Sequence, residues 1–340
     1  MCPTDEMSVI TLSEITPAWL TAILTRHGGL ITGRVLHVEQ TRDPNPITHN
    51  ATLLLTYSPD AQGVCPKRLF FKQSSRTSEA KFYQKIAPML TGPMAPICYD
   101  VQHDDTNSHV LIAYIERTHF AGPEALPMPL VYHELIIDAL ADLHSQFWNH
   151  PRLRQDIGAL ASDVPAFSFA MASQHFAAFV DTLGERLSAS RRGTYERIFA
   201  EYPRYRPSGP KTLVHGDAHW GNFLYPHDPT AHNLYLIDWA EWHVNLGVGD
   251  LAYNIALQCY PERRARIERP LMRRYHNRLL ADGIHDYAWE QCWEEYRRMV
   301  IEQCLWPIVW HHFDLSPNVW WFALECTLAA FEDLHCEEFL

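Results

Sequence analysis

The sequence predicts an α+β fold of two lobes, a small antiparallel β-rich lobe followed by a larger, mainly helical one. Three observations predict it. Short apolar segments separated by turn residues fill most of the first 116 residues. After residue 130 the texture changes to apolar residues at helical spacing. Two strand-like pieces joined by a turn-rich stretch then interrupt the helical region. The expected lobes are residues 1–116 and 117–340.

Each element has its own signal. "SEITPAWLTAILTRH" (13–27) reads as a helix that Ser13 or Thr16 can cap and Gly28-Gly29 ends. "GRVLHVEQT" (33–41), "ATLLLTYS" (51–58), "KRLFFKQ" (67–73), "PICYDVQH" (96–103) and "SHVLIAYIE" (108–116) suit an antiparallel sheet. One helix interrupts them, "TSEAKFYQKIAPML" (77–90), with Ala80, Phe82, Tyr83, Ile86, Ala87 and Leu90 on one side. "HFAGPEALPMP" (119–129) reads as the connector. "YHELIIDALADLHSQFW" (132–148) repeats Leu135, Ala139, Leu143 and Phe147 at helical spacing. Further helical patterns fall at 166–187, 189–202, 250–260, 263–281, 287–305 and 319–335. The embedded strand-like pieces are "NFLYP" (222–226) and "NLYLID" (233–238).

Composition narrows the function. The chain of 340 residues is 47% hydrophobic and 20% charged, as an ordinary globular protein is. It has no apolar run of about 18 residues, so no membrane span is expected. The first residues carry acids and no basic stretch before an apolar core, so no secretory signal is expected. The eight cysteines form no CxxC pair, which favours free thiols and a cytoplasmic location. A net charge of −12 disfavours nucleic acid as a partner. Residues 1–116 carry 9 Lys/Arg against 11 Asp/Glu, and residues 117–340 carry 19 against 29, so the second lobe holds most of the acidic excess.

The informative stretch is "TLVHGDAHWGNFLYP" (212–226). It sets His215, Asp217 and Asn222 among the apolar Leu213, Val214, Phe223 and Leu224. A buried strand would not accept Asp217 and Asn222 without partners. The stretch therefore reads as a functional loop between two short buried strands. His215 and His219 with an acid between them also suggest a zinc helix, but Gly216 and Gly221 work against a helix there.

"HGDAHWGN" followed by "LIDW" resembles the HGDxxxxN…D signature of aminoglycoside phosphotransferases, choline kinases and related CHK-like small-molecule kinases, a branch of the protein-kinase-like fold. The resemblance implies that Asp217 faces an acceptor hydroxyl. It also implies that Asn222 and Asp238 hold Mg²⁺ against the triphosphate of ATP, a role that hard oxygen ligands suit. "FFKQ" is similar to the strand that carries the phosphate-holding lysine, here Lys72, and "SEAKFY" to the helix whose glutamate, here Glu79, orients that lysine. "LADLHSQFW" (140–148) and "GVGDLAYNIA" (247–256) resemble two further family helices. Asp250 in the second would brace the catalytic loop by accepting backbone N–H bonds, while His215 packs and hydrogen-bonds within it. The hinge would fall at Ala113–Glu116, with the backbone at Tyr114 and Ile115 meeting adenine.

Two departures from the family pattern carry information. The phosphate-covering loop would be 40–51, which has no glycine and has Pro44 and Pro46, so Thr48 or Asn50 would supply a side-chain contact. Only 11 residues separate Asp238 from Asp250, no APE-like motif follows, and Gly216 replaces the arginine of the protein-kinase HRD. A small-molecule acceptor is favoured over a protein.

The basic run 263–278 reads as an anion site or an exposed helix face. Trp306, Trp310, Trp320 and Trp321 beside Asp314 and Glu325 suit either core packing or an amine-bearing, cationic acceptor. The expected activity is Mg²⁺-dependent transfer of the ATP γ-phosphate to a hydroxyl of an antibiotic, amino alcohol, sugar or specialised metabolite. The rival reading is a catalytically silent pseudokinase that binds a nucleotide or ligand, which the glycine-free loop supports.

Overall fold

The computed structural model describes residues 8–43, 48–122, 127–160, 163–205, 208–231 and 233–340. Residues 44–47 of the expected phosphate-covering loop, 123–126 of the expected connector and Cys2 lie outside the described residues. In chain order the elements begin with α1 (Pro17–Arg26), β1 (Val35–Arg42), β2 (His49–Tyr57), β3 (Arg68–Ser74), α2 (Ser78–Lys81), β4 (Cys98–His103), β5 (Ser108–Ala113) and β6 (His119–Ala121). Then come α3 (Leu130–Gln146), α4 (Asp156–Leu160), α5 (Val164–Leu183), α6 (Ala189–Tyr205), β7 (Thr212–Val214), β8 (Phe223–Pro226), β9 (Tyr235–Leu236) and β10 (His243–Asn245). The last are α7 (Val248–Leu251), α8 (Pro261–Ala281), α9 (Trp289–Gln303), α10 (Trp306–His312) and α11 (Pro317–Asp333). Contacts divide the chain into two compact units, Met1–Phe120 with Pro226–Ala240, and Ala121–Tyr225 with Glu241–Leu340.

The first unit is built on an antiparallel sheet in the order β1-β2-β3-β5-β4. Alternation makes β2 a strand: Ala51, Leu53 and Leu55 turn inward while Leu54 faces out. Those residues form one core with Leu69 and Phe71 of β3, Leu111 of β5, and Leu20, Ile23 and Leu24 of α1. Thr16 caps α1 by accepting from the Trp19 N–H at 3.2 Å, and Pro17 stands where no intrahelical donor is needed. In the ladder Lys72 lies opposite Asn50 on one side and Val110 on the other, which fixes its place on the central strand.

The helix expected over 77–90 is broken into α2, a π-helical turn at Phe82–Ile86 and a 3₁₀ turn at Ala87–Met89. The segment buries Glu79, Phe82, Tyr83 and Ile86 at the spacing of one helix face, with Ala80 beside them. The pattern expected over 250–260 ends the same way. It begins as α7 and continues as a π-helical turn at Ala252–Ala256 in which every residue is buried.

In the second unit β7 pairs antiparallel with β10, His243 opposite Val214. The basic run on α8 lies mostly on an exposed helix face, with several of its charges paired within the second unit. Arg274 donates to Asp138 and Arg278 to Asp142 at 2.7 Å, lacing α8 to α3. Arg273 stacks over Trp289 at 3.5 Å from the ring centroid. Arg264 is buried, paired to Glu268 at 2.7 Å and to Asp333. The pattern expected over 287–305 resolves into α9, and α10 follows as a separate helix. The described cysteines are all free thiols, and among the described residues no helix is long and apolar enough to cross a membrane.

His133 on α3 is fully buried beside Trp220, with neither ring nitrogen partnered among the described residues. Burial, helped by the Arg263 charge, pushes its imidazole down to about 4. Protonation then belongs to the unfolded chain, whose histidine titrates near 6.5, so folding is penalised progressively as pH falls from about 6.5 towards 4. His133→Phe is expected to remove an acid-side loss on the order of 3 kcal/mol, read as urea-denaturation midpoints across that window.

Candidate active site

Two groups of polar side chains assemble, one in each unit. In the first, the Lys72 ammonium donates to Glu79 at 2.7 Å and to Asp238 at 2.6 Å. Lys72 reaches them from the central strand, and Glu79 from the short helix α2. Desolvation alone would depress the Lys72 amine, but the two carboxylates outweigh it and hold the amine above its ordinary range. Burial pushes the Glu79 carboxyl up, and the Lys72 ammonium works against it. Glu79 also accepts the Trp239 backbone N–H. Asp238 is half exposed and holds φ +60, a left-handed conformation that costs a non-glycine residue roughly 1 kcal/mol. Its neighbour fixes it there: Trp239 is fully buried, stacks on Phe82 at 3.8 Å between centroids, and donates its indole N–H to the Leu236 carbonyl.

Thr48, Tyr114 and Ile115 also belong to the first unit. Thr48 immediately precedes β2, and Tyr114 and Ile115 follow β5, with the Tyr114 ring exposed. Among the described residues the partners of the Lys72 ammonium are Glu79 and Asp238, not these three.

In the second unit the loop after β7 is held from below by Asp250. This carboxylate accepts the backbone N–H of His215 at 2.7 Å, that of Gly216 at 2.8 Å, and the His144 Nε2 at 3.2 Å. Burial would raise the Asp250 carboxyl, yet the His144 bond, the nearby imidazoles and the Gly216 N–H hold it below the usual aspartate value. His144 in turn meets the Tyr275 hydroxyl at 2.9 Å, and its carbonyl accepts from Thr212 Oγ1. Gly216 is required here. Its φ is +82, and a Cβ would stand 2.2 Å from the Glu241 carbonyl oxygen.

Asp217 emerges from that turn with both carboxylate oxygens engaged. Oδ1 accepts the Tyr253 hydroxyl at 2.6 Å and Oδ2 accepts the Asn222 amide at 2.9 Å, with His219 Nε2 3.6 Å away. Asn222 also donates to the Asp217 carbonyl, which leaves its amide oxygen as the end able to meet a cation. A small void of about 30 Å³ adjoins this loop and is lined by Gly216, His243, Asn245, Tyr253, Glu302 and Trp306 among others. Of the expected aromatic and acidic cluster, Trp306 and Trp310 pack edge-on against Tyr253, while Glu325 is taken by Arg191 at 2.9 Å.

His144, Tyr253 and Asn254 join the site without having been singled out by the sequence; the Asn254 amide donates to the Ala218 carbonyl at 2.8 Å. "DLAYN" held the signal, since Tyr253 and Asn254 follow Asp250 by three and four residues and share its side of a helix.

Residues 61–283 match the model of the ecdysteroid kinase-like family. The chain belongs to that family. No curated protein matches it significantly. Among solved structures it is similar to a protein of Ralstonia eutropha jmp134 ascribed to the aminoglycoside phosphotransferases, at 11% identity and a TM-score of 0.59, covering 95% of this chain and 98% of that one. It is also similar to the GDP complex of aminoglycoside 2'-phosphotransferase-IIIa, at 14% identity and a TM-score of 0.54, covering 96% and 100%. A choline/ethanolamine kinase family protein of Mesorhizobium loti matches at 13% identity and a TM-score of 0.51, covering 87% of each chain. At such identities the likeness establishes the fold, which is protein-kinase-like, with a β-rich amino-terminal part and a helical carboxyl-terminal part.

Two outcomes follow from the loop. Gly216→Ala is expected to cost roughly 2 kcal/mol or more in denaturation experiments, from a strained φ and a backbone clash together. The depressed Asp250 carboxyl stabilises the fold above the unfolded aspartate value and loses that contribution as pH falls below about 4. Asp250→Asn is therefore expected to lower stability at neutral pH and to flatten the acid limb of the stability–pH curve.

Proposed function

We propose that this protein transfers the γ-phosphoryl group of ATP to a hydroxyl of a small molecule. The observation that carries the reading is the Asp217 carboxylate, held by two donors at the end of a loop braced on Asp250. Membership of a kinase-like family supports it, as does the fold shared with phosphotransferases, one of them solved with GDP. Asp217 would receive the acceptor's hydroxyl proton. The acceptor oxygen then bonds to the γ-phosphorus, the bond to the β–γ bridging oxygen breaks, and ADP leaves. Lys72, kept charged by Glu79 and Asp238, would hold phosphate oxygens, with Thr48 as a side-chain contact and the backbone at Tyr114 and Ile115 reserved for the base.

Mg²⁺ is assigned to Asn222 and Asp238, whose hard oxygen donors suit it. Among the described residues no cluster of three or more His, Cys, Asp or Glu could hold a metal unaided, so phosphate oxygens would complete its shell. The ion would neutralise charge developing on the phosphates. His215 and Asp250 serve the loop's geometry. Amine-bearing alcohols, sugars and antibiotics are candidate acceptors, and the family's name adds ecdysteroids to that panel. A cytoplasmic location, and neither nucleic acid nor protein as partner, complete the reading.

The test is ADP release from Mg·ATP with water, ecdysteroids, amino alcohols, sugars and aminoglycosides as acceptors. The wild type is expected to turn over with at least one of these. Asp217→Asn is expected to lower kcat by roughly 10²-fold or more, and Lys72→Met to weaken transfer without unfolding the chain. Nucleotide binding without turnover across the whole panel, with Mg²⁺ or without it, would instead establish a binding module.

A further inference from the structure

Asp217 is a flexible side chain on a loop, and its aim has to be fixed from outside that loop. Asn222, one of its two donors, comes from the same loop and would move with it. The other donor, Tyr253, does not. It belongs to the helical segment that begins at Asp250, and three side chains of that segment meet consecutive parts of the loop. Asp250 holds the N–H groups of residues 215 and 216, Tyr253 holds the Asp217 carboxylate, and Asn254 holds the Ala218 carbonyl. The segment passes through a π-helical turn at Ala252–Ala256, a local geometry often found at functional sites.

From this arrangement we infer that Tyr253 is a positioning residue for Asp217: it selects the one carboxylate orientation in which the acceptor hydroxyl is met. This rests on the phosphotransferase reading above. The ring has no freedom to swing away, being buried and flanked edge-on by Trp306 at 6.2 Å and Trp310 at 6.3 Å. Burial, reinforced by the Asp217 charge, pushes the phenol well above the ordinary tyrosine range, so the hydroxyl keeps the proton it donates to the carboxylate. A carboxylate oxygen has two acceptor sites, so Asp217 Oδ1 can hold Tyr253 and still accept from an alcohol.

Tyr253→Phe tests this, because it removes one oxygen and keeps the ring against both tryptophans. ADP release from Mg·ATP is followed with water and with an ecdysteroid as acceptors, beside thermal unfolding. With a hydrogen bond to a charged group lost, kcat is expected to fall roughly tenfold to a hundredfold. The KM for ATP should stay within about twofold, the mark of an interaction that matters at the transition state rather than in ground-state binding. Where the ecdysteroid reacts, the share of ADP formed without phosphorylated product should rise, because a misaimed carboxylate hurts the alcohol more than water.

A kcat within about twofold of wild type overturns the assignment. So does a joint decline of kcat, ATP affinity and melting temperature with an unchanged share, which would mark Tyr253 as packing alone. A wild-type protein that never releases ADP overturns the phosphotransferase reading and this one with it. An active wild type beside an equally active Tyr253→Phe removes only the role of Tyr253.

Discussion

A carboxylate shut away from water stays ionised only where donors replace the solvent it has lost. Asp250 is such a group, and the second unit is organised around supplying it. Two of its donors are successive backbone N–H groups, and a turn through a left-handed residue is one way to make two neighbouring amides converge on one carboxylate. The left-handed Gly216 provides that turn, and the direction in which Asp217 leaves the turn follows from Gly216. The third donor, His144, is held by Tyr275 on α8, while its own carbonyl receives Thr212 at the start of β7. One buried charge thus ties α3, α8, β7 and the loop into a single hydrogen-bonded frame.

The first unit solves the inverse problem. There a cation on the central strand is nearly enclosed, and two carboxylates from distant parts of the chain keep it charged. Glu79 is the more buried of them and also takes the Trp239 N–H, so the residue that holds the lysine also holds the backbone beside Asp238. The Phe82–Trp239 stack adds an apolar lock to the same contact. One short segment after β3 thus turns Glu79 towards the lysine and Phe82 towards the tryptophan while burying Tyr83 and Ile86.

Much of this was legible in the sequence, and the reason differs from element to element. The five strands were readable because each is a short apolar segment bounded by turn residues, and β2 also alternates, with Ala51, Leu53 and Leu55 inward. The loop at 212–226 was readable because Asp217 and Asn222 are polar residues in an apolar setting, which demands partners. The π turns were not readable. Apolar periodicity reports a helix and says nothing about one extra residue in a turn, so 77–90 and 250–260 looked continuous. Tyr253 and Asn254 were hidden for a related reason: in a fully buried segment every residue resembles core, and only the tertiary partner distinguishes a donor from filler. The arginines of 263–278 were ambiguous because local sequence does not contain Asp138, Asp142 and Trp289, the groups that absorb their charge.

The backbone at Asp238 has a consequence for evolution as well as for mechanism. A left-handed residue that is not glycine narrows the set of side chains the position can sample, before any question of metal or phosphate arises. Asparagine tolerates that conformation and keeps the shape, so the easiest drift away from aspartate yields a near-isostere without the negative charge. Branched residues would first have to unwind the turn that Trp239 anchors. A lineage that lost the chemistry proposed for this position would therefore be expected to carry asparagine or glycine there while leaving the tryptophan intact, and such a pair would be a readable trace of silencing.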